Sequence, residues 1–112
     1  MIRKVGIYNW RGNLDTILFA ISSSTRRDIL KRTTTGTYNI KKLSSHYKLT
    51  AATISKHVII LEKAQLIQKI RTGKGIVLLA IPGRLLMVKK YLDNYREFWK
   101  DVDKKTHKIR IT

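Results

Sequence analysis

The apolar residues of this chain recur at spacings that divide it into segments. Leu14, Ile17, Leu18 and Ile21 follow the three-and-four rhythm of one helical face. Asn13 stands ahead of them as a cap, and Asp15 falls in the first turn, where an acid complements the helix dipole. After the Ser22-Ser23-Ser24 interruption, Ser24 is expected to cap a second helix through TRRDILKR, with Ile29 and Leu30 turned inward. The β-branched run Thr33 to Thr37, around Gly36, is expected to be a turn. Asn39 then caps a short third helix, NIKKLSSHY, with Ile40 and Leu43 on one side. Leu49-Thr50 is the next break, and Thr50 is the expected cap of a fourth helix, AATISKHVIILEKA. Ile54, Val58 and Leu61 form its buried stripe, while Ala52, Ser55, Lys56, Ile59 and Lys63 fall on the opposite side.

Leu66 to Arg71 and Ile76 to Ile81 are expected strands joined by the Gly-rich tip Thr72-Gly73-Lys74-Gly75, and Pro82-Gly83 stops the second. Val88, Leu92, Tyr95, Trp99 and Val102 then recur at steps of four, three, four and three, widened by Tyr91 and Phe98. That pattern predicts one long amphipathic helix, about residues 84–103, with a coiled-coil-like seam. Residues 1–12 are a basic arm, a short strand or a partly ordered tail, with Trp10 arguing for a docked arm, and residues 104–112 are a basic tail. Residues 13–103 are thus expected to form one mainly α domain with a small β-hairpin. Two short helices joined by a tight turn and followed by a hairpin make the layout of a winged helix-turn-helix.

Charge sharpens this picture. Twenty-four Lys and Arg against seven Asp and Glu give +17, which points to a polyanionic partner: DNA, RNA or an anionic membrane surface. Between Ile29 and Leu92 the only acid is Glu62, against thirteen Lys or Arg, so the middle of the chain is where the polyanion is expected to touch. The absence of cysteine removes disulfides, thiolate metal sites and cysteine nucleophiles together. No apolar run has the length of a signal peptide or a membrane span, so a cytoplasmic protein is expected. Catalysis has no constellation to rest on, and the lone GKG sits in a hairpin tip. His46 and His107 are isolated, and His57 is expected to be packed and hydrogen-bonded on the core side of its helix. Of Arg26 and Arg27, one is expected to pair with Asp28 or to cap a carbonyl.

The run LFAISSSTRRDIL resembles the opening of ArsR-type winged-helix regulators, where a phrase like ALADPTRRRIL is usual. KLSSHYKLTAATISKHVIILEKAQLI looks like their helix-turn-helix, and YREFWK is similar to the YRRFW ending of one branch. The likeness covers roughly residues 14–100. It implies a dimer of winged-helix subunits paired through the first and last helices, and promoter binding, usually as a repressor. It does not imply metal sensing or any cofactor: the metal-sensing branch uses cysteines in the third helix or acid–histidine pairs in the last, and NIKKLSSHY and the last helix lack both. The chain departs from the pattern at Ala51, where a polar residue such as Gln is common, at Gln65, which replaces the usual Gly, and at Ile59, which replaces a polar residue.

A recognition helix enters the major groove by its N-terminal end, which favours small or polar residues there. In the helix over about residues 50–64, Ser55 and Lys56 are therefore expected to read bases, Ala51 and Ala52 to allow close approach, and Thr50 and Thr53 to bind backbone. On the hairpin over about residues 66–81, Arg71 and Lys74 are expected on phosphate or in the minor groove. Lys41, Lys42 and Lys48 either clamp backbone or form a solvated basic face. The expected dimer seam comprises Leu14, Ile17, Leu18, Val88, Tyr91, Leu92, Tyr95, Phe98 and Trp99, and a two-fold dimer predicts a palindromic operator on double-stranded DNA. The competing reading is an architectural protein that coats DNA with little sequence preference.

Overall fold

Residues 14–105, with side chains as far as Lys100, are described by a computed structural model. Helix α1 spans residues 14–20, and α2 (Ser24–Thr35), α3 (Ile40–Tyr47) and α4 (Ala51–Lys63) follow. Strands β1 (Ile67–Thr72) and β2 (Gly75–Ala80) pair antiparallel, with Ile67 opposite Ala80 and Thr72 opposite Gly75. A 3-10 turn over Pro82–Leu85 leads into α5 (Leu86–Leu92), a second over Asp93–Tyr95, and α6 (Arg96–Lys105).

One core joins these elements. Ile17 and Ala20 of α1, Ile29 and Leu30 of α2, Leu43 of α3, and Ile54, Val58 and Leu61 of α4 are buried together with Leu66, Ile67 and Leu78 at the root of the hairpin. Each fully buried Ile or Leu stabilises the fold by about 1.5–3 kcal/mol, so the spacing of these residues decides which face of each helix turns inward. The hairpin is fastened along its lower half, away from the tip. Leu78 N–H donates to Tyr38 O at 2.8 Å, forming an isolated bridge with the α2–α3 link, and Ile81 N–H donates to Leu66 O at 2.7 Å. At the tip Gly75 has φ +116°, a conformation that favours glycine.

Several boundaries differ from the sequence expectation. Ser23, not Ser24, caps α2: its hydroxyl accepts from Arg26 N–H at 3.2 Å. Thr33–Thr35 are helical, not a turn. Thr33 is buried, and the three hydroxyls bond back to carbonyls of the preceding turn (Thr33 to Ile29, Thr34 to Lys31, Thr35 to Arg32), which satisfies them inside a helix. Gly36 then ends α2; a side chain there would meet the Tyr38 ring at 3.1 Å. The long last helix is tightened at Asp93–Tyr95, where the Asp93 carboxylate accepts from Arg96 at 3.1 Å and lies 3.6 Å from Lys89. The expected strands each shift by one residue. The Asn13 cap, the residue 1–12 arm and the residue 104–112 tail lie outside the described residues, apart from the helical end at 104–105.

Two residues bracketing α4 have left-handed backbone: Lys48 (φ 57°) and Gln65 (φ 59°). At Gln65 the chain makes a full Schellman closure, with Leu66 N–H donating to Leu61 O and Gln65 N–H to Glu62 O, both at 2.9 Å, over the buried Leu61–Leu66 pair. Glycine adopts this conformation without Cβ strain. Gln65→Gly is therefore expected to raise stability by about 0.5–1 kcal/mol, net of its greater freedom when unfolded, as a higher urea midpoint at unchanged slope.

Candidate nucleic-acid interface

Helix α4 presents two opposed faces. Ile54, Val58 and Leu61 are fully buried, and Ala52, Lys56, Ile59 and Lys63 are exposed on the far side. Ala51 is exposed as well, and Thr53 and Ser55 are half-exposed. Thr50 caps the helix: its Oγ1 accepts from Thr53 N–H at 3.1 Å and donates to Thr53 Oγ1 at 2.9 Å. The two threonines thus spend part of their hydrogen-bonding capacity on each other, and the cap role of Thr50 is direct.

The approach to α4 is built by α3. Asn39 Oδ1 accepts from Lys42 N–H at 2.7 Å at its start. At its end, Lys48 takes the left-handed conformation, Leu49 N–H donates to Ser44 O at 3.1 Å, and Ser44 Oγ donates to Leu49 O. Lys41 and Lys48 are exposed. Lys42, although exposed, is committed locally: Nζ donates to Thr37 O at 3.1 Å and lies 4.8 Å from the Tyr38 ring centre. On the hairpin, Arg71 and Lys74 are exposed beside the tip, while Lys69 lies 3.5 Å from Glu62 at the end of α4. The structure thus places the α4 face, Lys41 and Lys48 on the helix-turn-helix and Arg71 and Lys74 on the wing.

What holds α4 in place is only partly legible in the sequence. Arg26 is 7% exposed and has no carboxylate partner among the described residues. Its Nε donates to Ala20 O at 2.8 Å and Nη2 to Phe19 O at 3.0 Å, the last carbonyls of α1, where a cation meets the negative end of a helix. The guanidinium lies 5.1 Å from the Phe19 ring centre, and Nη1 is 3.2 Å from His57 Nδ1 on α4. Arg27 caps Ile21 O at 2.8 Å. Both arginines are therefore carbonyl caps, and Asp28 pairs elsewhere, accepting from Arg32 Nε at 2.9 Å and from the Tyr47 hydroxyl of α3. The Tyr47 and Arg32 bonds hold the Asp28 carboxyl below its ordinary value; burial, with the Asp28 bond, pushes Tyr47 up to about 12.

The Arg26–His57 contact fixes a protonation state. A guanidinium only donates, so His57 Nδ1 must accept and the ring is neutral. Burial, then the Arg26 charge, lower the His57 pKa. An unfolded histidine takes up its proton near 6.5, so the unfolded chain binds protons before the folded one does. Stability is expected to be fully present above about pH 6.5 and to be lost as pH falls through the lowered folded value. Urea midpoints at pH 7.5 and 5.5 check this, and His57→Gln, which keeps an acceptor but does not titrate, should flatten the difference.

The residues expected at a dimer seam do not share one fate. Ile17 is fully buried within the chain, so it belongs to the core of the single subunit; a residue without exposed surface has nothing to offer a partner. Leu14 and Val88 are half-buried. Leu18, Tyr91, Leu92, Tyr95, Phe98 and Trp99 are exposed, Phe98 by 65%, together with Phe19 and Leu86, which the periodicity did not single out. Tyr95 packs on both Tyr91 and Trp99. Among the described residues there is no group of His, Cys, Asp and Glu that could hold a metal ion, and no helix is long and apolar enough to cross a membrane.

Four helices around a helix-turn-helix, with a two-stranded hairpin fastened at its base, define a winged helix-turn-helix. No family model and no curated protein matches the chain. Solved structures do. An ArsR family transcriptional regulator superposes with a TM-score of 0.70 at 22% identity, covering 80% of this chain and 93% of its own. An ArsR-like transcriptional regulator from Rhodococcus sp. RHA1 gives 0.69 at 18%, covering 93% and 99%. The transcriptional repressor BigR from Xylella fastidiosa gives 0.57 at 16%, covering 88% and 97%. The chain has the ArsR-type winged helix-turn-helix fold, and these structures are described as transcriptional regulators.

Proposed function

We propose that this chain is a double-stranded-DNA-binding transcription regulator, acting as a homodimeric repressor from the cytoplasm. The observation that carries the reading is the outward face of α4. It is exposed, bears Lys56 and Lys63 and no acid, and belongs to a stretch of chain in which Lys41 and Lys48 before it and Arg71 and Lys74 on the wing after it are also exposed. In this fold such a helix enters the major groove and the wing tracks the backbone or minor groove. Lys56 and Ser55 take the base edges, and the net charge of +17 supplies long-range attraction. The exposed aromatics of α5 and α6, with Leu18 and Phe19 of α1, form the seam of the dimer, whose two-fold axis sets two recognition helices about 34 Å apart on a palindromic site. Repressor function is the reading favoured by the likeness to BigR.

The test is binding of the purified protein to its own upstream DNA and to a scrambled duplex of equal length, with sedimentation to give the stoichiometry. A preference of about 1,000-fold or more at physiological salt, two protomers per site, is expected. Equal affinities that vanish together as salt rises would transfer the chain to the architectural class, in which charge does nearly all the binding.

A further inference from the structure

On the reading that α4 lies in the major groove, we propose that Ile59 reads the 5-methyl group of thymine, so that each half-site is recognised through a thymine methyl as well as through hydrogen bonds. At 100° per residue, Ala52, Lys56, Ile59 and Lys63 fall within an arc of about 60°, opposite the buried stripe. Ile59 is 40% exposed and marks the edge of that arc on the Ser55 side. Its side chain is β-branched and therefore stiff in a helix, so it is held outward. Lys63, four residues after it, is a cation placed to engage a phosphate and keep it in the groove, while Lys56, three residues before it, takes a base edge.

Groove chemistry then selects the partner. The base edges in the major groove are mainly polar donors and acceptors, and the thymine methyl is the one bulky apolar group among them. An isoleucine pressed on a G·C edge strips water from polar atoms and returns no hydrogen bond. Over thymine it buries apolar surface on both sides. The rest of the helix gives little competing readout. From Ala51 to Ile59 there is no Asn, Gln, Arg, Asp or Glu, and the Thr50 and Thr53 hydroxyls spend part of their capacity on each other, which leaves half-exposed Ser55 and exposed Lys56 as the main polar readers.

The experiment begins with selection of preferred duplexes from a random pool by the full-length protein. Each thymine of the selected site is then replaced by deoxyuridine, which lacks only the methyl. At one position per half-site the replacement is expected to weaken binding about fourfold, and roughly sixteenfold when both half-sites carry it, the effect of one buried methyl each. Ile59→Ala should lose that sensitivity at the same position, while its salt dependence and urea midpoint stay those of the parent. Deoxyuridine that is neutral at every position of a selected site, or a penalty that persists in Ile59→Ala, overturns the thymine reading and leaves the regulator reading standing. A pool that yields no preferred sequence overturns the regulator reading itself, and this inference with it.

Discussion

Raising monovalent salt from about 50 to about 200 mM is expected to weaken the complex with a matched duplex by roughly 10³- to 10⁵-fold, the loss that goes with six to ten neutralised phosphates. The estimate follows from where the cations stand. Lys41, Lys48, Lys56, Lys63, Arg71 and Lys74 are exposed around α4 and on the wing. Three to five of them reaching phosphate in each protomer gives a dimer that range of contacts. Each contact releases condensed counterions, so the logarithm of affinity falls linearly with that of salt. Arg71→Ala and Lys74→Ala should each lower the slope by about two per dimer, one for each wing. Lys69 sits against Glu62 and Lys42 against Thr37 and Tyr38, so their alanine variants should change it less. Fluorescence anisotropy across a salt series reads all of these, and a slope of one or two for the parent would remove the phosphate map.

Arg26→Ala is expected to cost about 2–4 kcal/mol of stability, more than other single changes outside the apolar core. Hydrogen bonds from a charged donor contribute about 1.5–3 kcal/mol each, and Arg26 makes three, to Ala20 O, Phe19 O and His57. Relief from burying a cation offsets part of that loss. The alanine variant leaves two carbonyls at the end of α1 facing a void and frees His57 on α4. Arg26→Lys should recover only part, because one ammonium cannot reproduce the planar fork that spans α1 and α4. Urea unfolding at constant slope gives the numbers. A change below about 0.5 kcal/mol would mean that α1 and α4 do not depend on this side chain.

The parts of this fold that are legible in the sequence are those decided locally. Ile54, Val58 and Leu61 turn inward because a helix brings them to one side, and any core would take them. Asn39 and Thr50 cap their helices because an oxygen three residues ahead of an N–H has few other uses. The remainder is decided by what meets what. Ser23 and Ser24 are chemically equal as caps, and the choice falls to where α1 ends relative to α2. Thr33 is tolerated in a helix because it is buried with its hydroxyl bonded back to Ile29. The periodicity of α1 assigns Ile17 to an apolar face but does not say whether that face meets the chain's own α2 and α4 or another subunit. Tyr38 gives no signal of its own, since its bridge joins the irregular α2–α3 link to Leu78 on a strand far along the chain. For the interface, composition and spacing identify α4 and the hairpin tip, but not that Lys42 is already committed or that Arg26 ties α1 to His57.

The anchoring of the hairpin at its root has a consequence for how the molecule moves. Protection of backbone amides against exchange with solvent should decay along the wing, highest at Leu78 and Ile81, which are bonded to Tyr38 and Leu66, and lowest around Gly73 and Lys74. Helix α4, tied through His57 and Leu61 to the interior, belongs with the slowest exchanging part of the protein. A subunit so built has a stiff seat and a compliant feeler. On the proposed DNA-binding reading, α4 would fix the register on a duplex and the wing would then follow whatever groove width that stretch of DNA presents.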